Sequence, residues 1–419
     1  MNFRYTLILI LFLTSAVGFT PVYAETELEW NSKGVDAYNR QDWEVAVKMF
    51  RKSHQLSPTN ETITRNFSNA LQAWASALAN EKSYYNATVL LEEVIILEPK
   101  NVSPLIQLGA YYLRNNSVKD AIFRLEEGIE LAPGNTDAHY LLGEAYYRDN
   151  DVSSAIDQWE WVFQVEPQKP GLKDRLESAL REEQVEYDFR GDSSRHFNVT
   201  FSREAERRQV RDVLSILESA YQDIGRLLGN VFPPNPVQVT LYTADGFSES
   251  TQMGEHVGAL FDGTKIRCPI MDKEGNILPK DELKRRLYHE YVHVLVRHLA
   301  QQNAPWWLNE GLAETLSKDF TPTEIRTLKE SYENDTLLSL DSMESSQLEK
   351  LSPEKLRLAY YQSHMTVDYI RNKHGLRSFN AMLKALGEGA DPEIALRNQF
   401  RFSYRTLDLA VADAIKSLK

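Results

Sequence analysis

From residue 27 onward apolar side chains return every three or four positions, interrupted at short intervals by Asn, Gly and Pro, and the pattern copies itself. Gly109 and Tyr112 recur as Gly143 and Tyr146, while Ala121, Leu125, Gly128 and Pro133 recur as Ala155, Trp159, Val162 and Pro167; each step is 34 residues. Upstream, Ala87, Leu91, Val94 and Pro99 keep the same spacing, as do Gly34, Ala46, Phe50, Ser53 and Pro58. The step from Pro58 to Pro99 is 41 rather than 34, which places a seven-residue insertion in the second unit. Apolar stripes of this period predict amphipathic helices. Small residues at fixed places let paired helices approach, and the Pro stops the second helix of each pair. One pair cannot bury its apolar face, so four pairs are expected to stack over residues 25–170.

Beyond 170 the pattern changes. Residues 171–194 are charged, have helical spacing and read as a connector. HFNVTF (196–201) alternates as a strand does, 203–228 has the period of a long helix ended by Gly229, and VQVTLY (237–242) is a second strand. VGALFDGTKIRCPI (257–270) reads as a hairpin turning at Asp262-Gly263. From there the chain is helical nearly to its end. Strands followed by helices predict an α+β domain over 195–419.

Charge and composition narrow the possibilities. The chain has 419 residues, of which 26% are charged, with a net charge of −13. That balance excludes sequence-independent nucleic-acid binding, which needs clustered Lys and Arg. It also shows no polybasic patch for an anionic membrane surface. Residues 1–24 carry Arg4, an apolar run at 7–13, and small side chains at Val22 and Ala24, the pattern of a signal peptide cut after Ala24. The apolar run is shorter than the ~20 residues that span a bilayer, so no stable membrane anchor remains after cleavage. Cys268 is the only cysteine, which rules out an intramolecular disulfide. Export combined with so little cysteine points to a bacterial periplasm, or to secretion. Residues 25–170 hold 22 acidic and 13 basic side chains, which suits a neutral or basic partner on the helical repeats.

The candidate chemistry lies in LYHEYVHVLVRHLAQQNAPWWLNEGLAE, residues 287–314. Residues 285–300 keep helical periodicity, so His289 and His293 project from one face a turn apart. That spacing lets two imidazoles reach one ion at ~2.0–2.1 Å. Glu290 points to the side, within reach of a water rather than of the ion, and HEYVH is thus an H-E-x-x-H pattern. After NAPWW a new helix is expected near Leu308. It would return antiparallel and bring Glu310, 17 residues after His293, as a third ligand. Glu314, one turn on, would accept a hydrogen bond from the far nitrogen of a ligand histidine. Three protein ligands and an open position make a catalytic rather than a structural zinc site.

HEYVH followed by WLNEGLAE resembles the gluzincin metallopeptidases, and 197–419 resembles their small peptidase MA-like domain; the 34-residue units resemble tetratricopeptide (TPR) repeats. The fold expected from these resemblances is an N-terminal all-α TPR solenoid plus a C-terminal α+β domain of the thermolysin-like zincin kind. They imply one Zn2+ per chain on His289, His293 and Glu310, with Glu290 as general base and Glu314 as orienting group. They also imply a downstream hydroxyl or imidazole that stabilises the oxyanion. Tyr360 matches that position best, with Tyr361 and His364 as alternatives. Residues 258–261 would be the edge strand that pairs with substrate backbone. Aminopeptidases of the superfamily carry Gly-x-Met-Glu-Asn here, whereas this chain has GALFDG, with Asp262 in the turn; an endopeptidase is therefore favoured.

The remaining candidates read as structural. Trp306 and Trp307 form an apolar staple at the start of their helix, His298 is solvated off the ligand face, and His196, His256 and His374 lack ligand spacing. Cys268 is packed rather than nucleophilic. The reading that results is an exported zinc peptidase acting on a peptide or protein, its repeats recruiting substrate or a protein partner. Two others stand beside it: an inactive TPR scaffold with a metal-binding domain, and a hydrolase of a non-peptide amide such as a cell-wall crosslink.

Overall fold

The computed structural model describes residues 25–233, 236–254, 257–344, 348 and 351–418; residues 1–24 and His256 lie outside them. The described residues form eighteen α-helices and five strands. None of these helices is long and apolar enough to cross a membrane. The chain packs as two compact units, one running to Asn80 with Asn86–Pro104, the other made of Glu81–Tyr85 and everything from Leu105 on.

In the first unit, α1 (Glu27–Asn39) begins with a capping box in which Thr26 and Glu29 satisfy each other's backbone N–H groups. Asp42 caps α2 (Trp43–Leu56). α3 (Glu61–Asn80) has 20 residues where α1 has 13, so the inserted seven residues lengthen this one helix and leave the pairing intact. The apolar face of α4 (Tyr84–Leu97) buries Ala87, Leu91 and Val94, the repeat positions of the sequence.

The second unit continues the pattern with α5 (Val102–Arg114), α6 (Val118–Leu131), α7 (Thr136–Arg148), α8 (Val152–Val165) and α9 (Leu172–Glu186). The repeat glycines explain themselves here. A Cβ on Gly109 would come within 2.4 Å of Leu125, and one on Gly143 within 2.3 Å of Trp159. In the first unit Gly34 faces Phe50 in the same way. The 34-residue period thus records a large side chain of one helix seated against bare backbone of its partner.

The segment expected to be a helical connector is helical only to Glu186. Arg190–Ser193 forms strand β1, which pairs antiparallel with β2 (Phe197–Phe201). α10 (Arg207–Leu227) then crosses to β3 (Val237–Tyr242), and α11 (Ala244–Thr251) precedes the hairpin of β4 (Leu260–Phe261) and β5 (Lys265–Pro269). The sheet order is β1-β2-β3-β5-β4. The three central strands are parallel, and β4 runs antiparallel along one edge. The expected turn at Asp262-Gly263 is present, with Gly263 at φ 90°. Among the described residues, seven longer helices follow: α12 (Lys280–Ala300), α13 (Trp306–Ser317), α14 (Pro322–Glu333), α15 (Pro353–His374), α16 (Phe379–Gly387), α17 (Pro392–Phe400) and α18 (Tyr404–Lys416).

Strand β5 is buried on both faces. Ile266 and Cys268 join the apolar core. Burial pushes the Cys268 thiol up to about 12, so it is packed and inert, as expected. Lys265 and Arg267 alternate with them and enter the opposite layer, where α9 supplies Glu182; Lys265 is 0%, Glu182 1% and Arg267 5% exposed. Arg267 donates to Glu182 at 2.6 Å, Tyr147 at 2.8 Å, Tyr242 at 2.9 Å and Asp262 at 2.9 Å. Lys265 donates to Glu182 and, at 2.7 Å, to Asn150. Burial opposes the Glu182 carboxylate, but Lys265 and Arg267 outweigh it and hold its pKa below the ordinary range. Burial and then Glu182 push Glu186 up to about 7. With Glu186 protonated, two cations face two carboxylates, Glu182 and Asp262, and the cluster is neutral.

Candidate metal centre

Helix α12 starts at Lys280, with Asp281 and Glu282 in its first turn, where carboxylates favour the positive end of the helix dipole. Leu287, Tyr291, Val292 and Leu295 bury one side of it. His289 and His293 leave the other side together, as the i, i+4 spacing requires. α13 begins two residues earlier than expected, at Trp306. Trp307 is fully buried, and its Nε1 lies 3.4 Å from Tyr404 Oη, so it anchors the helix start. Trp306 packs edge-on against Tyr360 with ring centroids 4.9 Å apart.

The two helices bring Glu310 to the histidines. Glu310 Oε2 is 3.5 Å from His289 Nε2 and 3.7 Å from His293 Nε2. One ligand atom from each of the three residues lies within 4.8 Å of the others. Ligands ~2.0–2.2 Å from a tetrahedral ion stand ~3.3–3.5 Å apart, so the set fits a zinc-sized cation. The electrostatics agree. Burial disfavours charge on His289, yet Glu310, Glu290 and Glu314 more than offset it and raise its pKa, so the site attracts positive charge. Burial also opposes the Glu310 carboxylate, but His293 and His289 outweigh it and hold its pKa low.

The far nitrogens are held as well. His289 Nδ1 lies 3.5 Å from Glu314 Oε1, and His293 Nδ1 lies 3.0 Å from Asn309 Oδ1. Glu314, expected as an orienting group, lies near the His289 ring, while Asn309 escaped the sequence reading: an asparagine beside a ligand has no spacing of its own to give it away. Replacing Asn309 with Ala is expected to weaken zinc affinity by about 10–100-fold. Competition with a chromophoric chelator measures this, and an unchanged affinity would remove Asn309 from the site.

Gly311 explains why α13 can sit so close. A Cβ there would lie 2.4 Å from Ser363 O and 2.5 Å from Val367 Cγ2 of α15. That approach seats Glu310 and brings Tyr360 to the same space. A cavity of about 540 Å³ is lined by His289, Glu290, His293, Glu310 and Tyr360, with Leu260 and Phe261 of β4 on its rim. Glu290 is buried; burial raises its pKa, and the backbone N–H of Phe261 donates to it. Burial, then Glu310, Glu314 and Glu290, raise the Tyr360 hydroxyl, which keeps its proton at neutral pH.

Apart from Asp262, which also lines the cavity, the other candidates part from it. Tyr361 packs on the apolar core. His364 is buried, stacks on Phe320 at 3.8 Å and faces Glu324 at 3.5 Å. Lys318 bridges Glu324, at 3.0 Å, to Glu314, so this second group of acids already holds a cation. His298 and His374 are exposed, and His196 stacks on Tyr221 with Nδ1 2.7 Å from Glu218. Asp262 is fully engaged: Oδ1 accepts from the N–H groups of Thr264 and Lys265, and Oδ2 accepts from Arg267.

Residues 280–417 match the family model of the Peptidase MA superfamily. No curated protein matches the chain. Among solved structures, the chain is similar to MamA, with 18% identity and a TM-score of 0.31 over 36% of this chain and 84% of that one. It is also similar to the N-terminal domain of stress-induced protein-1 (STI-1) from C. elegans, with 18% identity and a TM-score of 0.26 over 28% of this chain and 97% of that one. A third is MamA 41-end from Desulfovibrio magneticus RS-1, with 21% identity and a TM-score of 0.27 over 35% and 78%.

Proposed function

We propose that the protein is a zinc-dependent peptidase of the gluzincin type, its thermolysin-like catalytic domain following tetratricopeptide repeats that recruit substrate or a partner. The observation that carries this reading is the convergence of His289, His293 and Glu310 on one point of a cavity wall beside a buried, non-ligating carboxylate. His289, His293 and Glu310 would hold the ion. When bound, zinc supplies Lewis acidity toward the substrate carbonyl and the attacking water. Glu290 takes the water's proton and returns it to the leaving amine. Tyr360, a protonated hydroxyl on the cavity wall, donates to the oxyanion. The outer edge of β4 is the place for substrate backbone to pair. Because Asp262 is taken by Arg267, it is not free to hold a substrate's terminal ammonium, which supports internal cleavage. Export, with removal of residues 1–24 after Ala24 and work in the periplasm or outside the cell, belongs to the same proposal.

The test is metal analysis of the purified chain beside a peptide-library digest with and without chelator. One zinc per chain and chelator-sensitive cuts inside peptides are expected. Stoichiometric zinc without any cleavage would leave a binding scaffold, or a hydrolase of a different amide.

A further inference from the structure

The face of α12 that carries His289 and His293 continues one turn further, to Arg297. The three residues stand at i, i+4 and i+8, and all three line the cavity. Arg297 is half-buried, and among the described residues no acidic side chain pairs with it. Its one partner is neutral: the Gln302 amide, with its oxygen turned inward, accepts from Nη1 and Nη2 at 2.9 Å each. The Nε edge of the guanidinium fork is left without a partner among the described residues.

Burial, then the charge of Arg148, lower the pKa of Arg297. Arg148 donates to the carbonyl of Leu113 at 2.8 Å and likewise has no acidic partner among the described residues. The carboxylates on the cavity wall are otherwise committed: Glu310 to the metal centre, Glu290 to the amide of Phe261, and Asp262 to Arg267. Basic residues in the last turn of a helix do favour its carbonyl end. That role does not explain the cavity in front of Arg297. In a chain of net charge −13, a half-buried arginine on a cavity wall without a carboxylate partner is a place for a ligand's anion.

We propose that Arg297 selects substrate by accepting a carboxylate of the bound peptide, from an Asp or Glu side chain or from the chain's own C-terminus. This rests on the peptidase reading and names its substrate class: acidic peptides rather than neutral or basic ones.

The test uses the zinc-loaded full chain and fluorogenic alanine-rich peptides that differ at one scanned position, Asp, Asn or Lys, each with a free or an amidated C-terminus. Wild type is expected to favour Asp over Asn by 10-fold or more in kcat/KM. R297Q should abolish the preference, R297K should keep most of it, and R297E should turn it toward Lys. A preference for Asp over Asn that survives amidation assigns a side chain, whereas a preference for the free over the amidated C-terminus, with Asp and Asn handled alike, assigns the terminus. Binding of the same peptides to E290Q, followed by fluorescence anisotropy, judges the proposal without turnover. There E290Q/R297Q should lose at least 10-fold in affinity for the acidic peptide alone. Should nothing be cleaved, the peptidase reading fails while this binding contrast still decides the role of Arg297. Equal handling of Asp and Asn peptides together with equal handling of free and amidated C-termini by wild type, or a preference that R297Q leaves unchanged, overturns the proposal.

Discussion

Replacing Glu290 with Gln is expected to leave one zinc per chain in place and to lower kcat on any cleaved peptide by about 10²–10⁴-fold. The substitution keeps the shape of a side chain that is only 6% exposed, so it opens no void. The amide still accepts from Phe261 N–H, and the ligand cluster of His289, His293 and Glu310 does not include this residue. What disappears is the ability to take a proton from water and hand it on. Metal content by elemental analysis and steady-state kinetics on the same preparation decide the matter. If zinc falls together with activity, Glu290 is a ligand and the assignment of roles is wrong. Glu310→Gln is the control with the opposite signature, because there the metal itself should go.

Glu182→Ala is expected to destabilise the second unit by about 3–5 kcal/mol, the usual result of stripping one partner from a buried ion pair. Lys265 and Arg267 would lose their shared counter-charge with no water to replace it, since both are almost fully buried. The pH dependence should change as well. Glu182 has a depressed pKa in the folded protein, so its contribution is complete above the unfolded value of about 4.3 and is lost as pH falls through the folded one. Glu186 works in the other direction. Its folded pKa is raised to about 7, so folding loses ground as the pH climbs from about 4.3 through that point. Denaturant melts across pH should therefore show a shallower acid limb in Glu182→Ala, and a gain near neutral pH in Glu186→Gln. A Glu182→Ala protein with an unchanged midpoint would mean that the cluster contributes nothing net.

The candidate cluster was legible because helical geometry turns sequence spacing into distance: His289 and His293 had to share a face, and Glu310 had to return beside them. The repeats were legible for the same reason, Gly143 and Trp159 being a contact written at fixed intervals. Three features were not. Arg190–Ser193 reads RGDS, with every side chain exposed, so it offers no alternation to mark a strand. Lys265 and Arg267 carry charges that usually signal solvent, and only the tertiary pairing with Glu182 makes their burial possible. His364 shares a face of the same helix with Tyr360, but it lies one turn further along, past the cavity and against Glu324, and where the cavity ends is set by tertiary packing rather than by local sequence.

The strand that borders the candidate metal cavity is secured from the far side. Its hairpin is tied through Lys265 and Arg267 to α9, to Tyr147 of α7 and to Asn150 in the turn after it. A fragment cut at the first residue of β2 would retain His289, Glu290, His293, Glu310 and Tyr360, yet leave those two cations stranded. The last helices of the repeat array thus brace the half that carries the candidate metal centre, and that half is not a module to be lifted out and transplanted.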